Sequence, residues 1–146
     1  MTANTSETLV HGIDATMMDQ ALNLDHFIQR AASIYPNQKI TTRLPDGSYH
    51  YSNYHTVYQR SRKLCSALLD LGIQAGDRVA TLMWNHYAHL ENYFAIPAIG
   101  AVLHTLNLRL HADEIAYIAE HAEDKILLVD DVLLPLCKDI LSQYRF

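Results

Sequence analysis

The sequence predicts an α/β protein: parallel βαβ units forming part of a doubly wound sheet, preceded by a helix and a β-hairpin. Three observations carry that prediction. From residue 78 onward, short apolar runs alternate with amphipathic stretches, in the order strand, helix, strand, helix, strand, helix. The strand runs are continuously apolar, which suits strands covered on both faces and connected by right-handed crossovers. Upstream, Pro45-Asp46-Gly47 separates the β-rich runs KITTRL and SYHY, the signature of a hairpin.

Each element follows from local chemistry. Residues 1–22 are polar and aperiodic and are expected to form an extended arm, with residues 23–146 as one unit. Asn23 is placed to cap a first helix, on which Leu24, Phe27, Ile28, Ala31 and Ile34 recur at helical spacing. Pro36 ends it, because a proline pushes the preceding residue out of the α region. After the hairpin, Ser52 or Asn53 caps a long helix with a stripe of Tyr54, Val57, Ser61, Leu64, Leu68 and Leu71. Gly72 supplies its stop. Residues 78–83, 101–106 and 125–130 read as strands, and 87–99, 112–122 and 132–143 as helices. Pro97 removes a donor near the end of its helix, and Asp113 and Glu114 sit where a helix dipole favours acids. Three parallel strands leave open edges, which suggests a piece of something larger.

Composition narrows the function. The formal charge is −5, and no block of lysine or arginine appears, so nucleic acid is not expected as a partner. No apolar run is long enough for a transmembrane helix, and the first residues lack the basic and apolar segments of a secretory signal. Cys65 and Cys137 lie far apart within helical patterns, which fits buried thiols in a reducing, cytoplasmic setting.

Chemical motifs are sparse. The five glycines include no phosphate-cradling spacing. His86 and His89 could share a helix face, but zinc needs a third ligand and Glu91 points elsewhere, so a surface or rim pair is expected and no metal site. His50 with His55, and His111 with His121, have no ligand spacing. Cys65 lies beside Lys63 yet reads as a core thiol, and no G-x-S-x-G elbow occurs. Asp130 and Asp131 follow a strand, where they are expected to cap the next helix. Asn107 and Arg109 follow the second strand at its carboxyl end, where open α/β sheets place ligand contacts. Arg109 there either pairs with Asp113 or Glu114 or grips a phosphate.

The stretch from Gly76 to Asp124 carries G-D-R-V-A-x-L-x-W-N, H-L-E-x-Y-F, G-A-V-x-H-T-x-N-x-R-L and I-A-Y-I-x-x-H-A-E-D. These resemble the N-terminal part of the adenylate-forming (AMP-binding) acyl-CoA synthetases, most closely the medium- and long-chain fatty-acid–CoA ligases. The likeness spans roughly residues 24 to 131. Two positions depart from the pattern: Leu108 stands where proline is usual, and Tyr51-Ser52-Asn53-Tyr54 replaces the usual Y-x-E-L.

The resemblance implies that residues 23–146 are the first part of the large AMP-binding domain, ending before the phosphate loop. It implies a parent enzyme that uses ATP and magnesium to adenylate a fatty acid, then transfers the acyl group to CoA. The catalytic motifs lie beyond this stretch, so no catalytic residue is expected in it, and alone it should be inactive. Arg109 becomes the candidate contact to a CoA phosphate, because related ligases carry an arginine there near the nucleotide part of CoA. The expected partners are the carboxylic acid and the rest of the ligase chain, with a second copy of the chain as a further candidate. Two other readings stand beside this one: a short non-catalytic α/β binding or interaction module, and a receiver-like domain with Asp130 and Asp131 as its acidic site.

Overall fold

Leu24 and the residues after it do form a helix, but it buries a narrower face than the apolar spacing suggests. In the computed structural model the described residues run from 23 to 146, and the expected arm lies outside them. Helix α1 (Asp25–Ile34) buries Ile28 and Ala32, while Phe27 is 69% exposed and Leu24 and Ile34 about half exposed. Asn23 sits one residue before the N-cap, and its Oδ1 still accepts the His26 N–H at 3.3 Å.

The hairpin follows as β1 (Lys39–Arg43) and β2 (Tyr49–Asn53), antiparallel, with Thr41 opposite Tyr51. Asn53 is the cap of α2 (Tyr54–Asp70), its Oδ1 accepting the Thr56 N–H at 2.8 Å. This helix buries Val57, Ser61, Cys65 and Leu68. Leu71, expected on the same stripe, is 70% exposed, because the helix has ended and the chain turns at Gly72. Ile73 fills the core position instead.

The remaining elements are β3 (Arg78–Leu82), α3 (Tyr87–Ala98), β4 (Val102–Thr105), α4 (Ala112–Ala122), β5 (Asp124–Val129), a 3₁₀ turn (Asp131–Leu133) and α5 (Leu134–Leu141). The last helix was expected as one stretch; Pro135 sits in its first turn, and a 3₁₀ turn replaces the early residues. The parallel sheet has the order β4-β3-β5, so the first strand is central. Val79 lies opposite Leu103 on one side and Ile126 on the other.

Residues alternate across β3. Val79 packs with Leu68, Ile73, Ile96 and Ala101, the side of α2 and α3. Ala80 and Leu82 pack with Ile115, Ala116, Cys137 and Ile140, the side of α4 and α5. Each large aliphatic side chain so buried contributes about 1.5–3 kcal/mol. The sheet is therefore wound on both faces, and its loops β3–α3 and β4–α4 leave for opposite faces at the carboxyl edge.

Candidate functional site

Four segments meet at or near the carboxyl edge of the sheet: the loop Met83–His86, the loop Leu106–His111, Asp130 after β5, and the start of α3. Asp130 ties two of them together. One carboxylate oxygen accepts the Trp84 N–H at 2.8 Å, and the other lies 2.8 Å from His86 Nε2. The Nδ1 of His86 accepts the N–H groups of Ala88 and His89, so His86 is the N-cap of α3. With Nδ1 accepting, the neutral ring carries its proton on Nε2 and donates it to Asp130. Asp130 thus binds the loop before α3 rather than capping the helix after β5. Asp131 accepts only from its neighbour, the Val132 N–H, at 2.7 Å.

His86 and His89 are not a surface pair. His89 is 5% exposed, with Nε2 3.1 Å from Thr81 Oγ1 and Nδ1 without a hydrogen-bond partner. Burial holds its pKa below the ordinary histidine value. Glu91 faces away from both, as expected, and forms a 2.6 Å ion pair with Arg60 Nε of α2. No group of three or more His, Cys, Asp or Glu that could hold a metal ion occurs among the described residues.

In the loop after β4, Asn107 Oδ1 accepts the Arg109 N–H at 3.1 Å. This local turn projects the Arg109 side chain outward. Arg109 is exposed, and among the described residues it forms no ion pair with Asp113 or Glu114. Glu114 is engaged otherwise: its Oε2 accepts the His111 N–H at 3.0 Å. Leu108, the departure from the usual proline, packs with Leu110 against the core of Leu106 and Ile115. Leu108 and Leu110 therefore anchor the backbone on either side of the exposed Arg109.

Cys65 is buried and its thiol donates toward the Ala95 carbonyl at 3.3 Å. Burial raises the pKa of both Cys65 and Cys137, which suits inert core thiols. At the other end of the sheet, His104 Nδ1 lies 2.8 Å from the fully buried Asp124. Desolvation raises the Asp124 pKa, opposed by the bond to His104. The sequence reading singled out neither this pair nor Arg60. An aspartate opening a buried strand, and a glutamate on an otherwise apolar helix, were the available signals.

Residues 28–143 match the AMP-binding enzyme family. The chain belongs to that family. Over 136 residues this chain is 50% identical to a long-chain-fatty-acid–CoA ligase of Thermus thermophilus, covering 93% of itself and 25% of the relative. It is 38% identical over 124 residues to a medium-chain-fatty-acid–CoA ligase of Ectopseudomonas oleovorans, covering 85% of itself and 23% of the relative. The N-terminal domain of FACL13 from Mycobacterium tuberculosis shares the fold, with a TM-score of 0.75 at 24% identity, over 84% of this chain and 30% of that one. The chain spans about a quarter of the length of the curated relatives it matches.

Proposed function

We propose that this chain is part of an acyl-CoA ligase that activates a fatty carboxylic acid with ATP and passes the acyl group to CoA. The supporting observation is the 50% identity to the Thermus ligase across nearly the whole chain. In the first half-reaction the carboxylate attacks the α-phosphate of ATP and pyrophosphate leaves. In the second the CoA thiol attacks the acyl carbon and AMP leaves. In this reading the magnesium carboxylate, the phosphate loop and the catalytic lysine belong to the rest of the ligase. Residues 1–146 alone should show no fatty-acid-dependent ATP–pyrophosphate exchange, and exchange by the purified chain would overturn this.

What this chain contributes is a folded edge for the site. Arg109, exposed and without an ion pair among the described residues, is the residue for a CoA phosphate. Its guanidinium can offer two parallel charge-assisted bonds. In the longer ligase, Arg109→Ala should raise the KM for CoA about tenfold, the loss of one charge-assisted contact, and leave acid-dependent ATP–pyrophosphate exchange unchanged. Unaltered CoA kinetics would remove Arg109 from the role. The two buried, unpaired cysteines favour a reducing, cytoplasmic setting, and no helix among the described residues is long and apolar enough to cross a membrane.

A further inference from the structure

A cleft of about 570 Å³ lies between the hairpin and the first turns of α2 and α3. That volume is in the range of small-molecule sites. Its charged side chains are Lys39 of β1 and Arg60 of α2, and no carboxylate is among its lining residues. In a chain of net charge −5 this local balance is unusual. Glu91, 7% exposed at its side chain, engages the Nε of Arg60 at 2.6 Å and does not line the cleft. The two terminal guanidinium nitrogens of Arg60 have no partner among the described residues.

The walls are aromatic. Lys39 Nζ stands 3.6 Å from the centre of the Tyr51 ring, and His50 stacks on Tyr87 with ring centres 4.0 Å apart. Both aromatic surfaces line the cleft, with the hydroxyls of Ser52 and Thr56 beside them. The backbone at the start of α2 is already engaged, Thr56 N–H by Asn53 and His55 N–H by the Pro36 carbonyl. The side chains, rather than the helix end, therefore make the site.

We propose that this cleft binds a small organic phosphate carrying a planar group, with the phosphate between Lys39 and Arg60 and the planar group against the His50–Tyr87 stack. The site is separate from Arg109 and does not depend on the ligase reaction. Two cations without a competing carboxylate select a dianion, and flat aromatic walls select a ring.

Phenyl phosphate is the probe, with inorganic phosphate and benzyl alcohol as the arms that lack the ring and the charge. Binding to the 146-residue chain would be followed by NMR shifts of the His50, Tyr51 and Tyr87 rings. Phenyl phosphate should saturate these shifts, bind more tightly than either arm, and weaken as salt is raised. Lys39→Ala should weaken it about fivefold, the effect of losing one half-screened charge. Arg43→Ala removes an equal charge from the same strand outside the cleft and should leave binding unchanged. Non-saturating shifts, or equal losses in the Lys39 and Arg43 variants, would overturn the site. Equal affinity for inorganic and phenyl phosphate would overturn the ring contact.

Discussion

His89 shows how one buried group sets a pH response. Its ring is inside the protein, and burial lowers its pKa from the ordinary 6.5. The unfolded chain then binds a proton more readily than the folded one. Stability from this residue is complete above pH 6.5 and is lost as the pH falls toward the lower folded value. Urea unfolding should therefore show a decline on acidification below the ordinary histidine value, and His89→Gln should flatten that decline. An unchanged pH slope in the variant would assign the decline to other groups. That His89 is buried could not be read from spacing. The pattern His86-x-x-His89 fixed a shared helix face and left open which ring pointed at β3. The same gap hid the partners of Asp130. Adjacent aspartates after a strand suggest a cap, and only the return of the Met83–His86 loop to that point makes Asp130 a tie. The place of Arg109 after a strand end was legible, a matter of order along the chain, and its contact to a CoA phosphate is the proposal that the KM for CoA tests.

At the scale of elements, periodicity did most of the work. The five α-helices and five strands among the described residues were foreseen, with ends shifted by a residue or two, as fraying and capping cause. Leu71 and Phe27 show the limit: the apolar period says which side of a helix can be buried, and neighbouring elements decide how far along it burial extends. The turn joining α3 to β4 gives the sharpest test of an element boundary. Gly100 has φ +77°, and a Cβ there would meet the Ala75 Cβ at 3.1 Å. Gly47, in the hairpin, has φ +84° with nothing within 4 Å. Gly47→Ala should cost about 1 kcal/mol from backbone strain alone. Gly100→Ala should cost about 1–2 kcal/mol, with the crowding added to the same strain. Urea midpoints at unchanged m-value would measure both. Equal losses would mean that Ala75 yields at no cost.

For the whole molecule, family membership agrees with a sheet wound on both faces, with an exposed arginine at its carboxyl edge and relatives some four times longer. The central position of β3 has a further consequence, in the order of events during synthesis. The strand RVATL leaves the ribosome first, and both of its neighbours come later in the chain. At translation speeds of about 5–20 residues per second, it waits a second or more before β4 can reach it, and longer for β5. In that interval α2, joined by α3 as it emerges just ahead of β4, shelters it on the Val79 face. Ala80 and Leu82 stay uncovered until α4 and α5 have emerged. Nascent chains stalled with β5 still in the exit tunnel should be cleaved within β3 by a protease, and chains stalled after α5 has emerged should resist. Resistance at the earlier length would mean that one face and one neighbour are enough to hold the central strand.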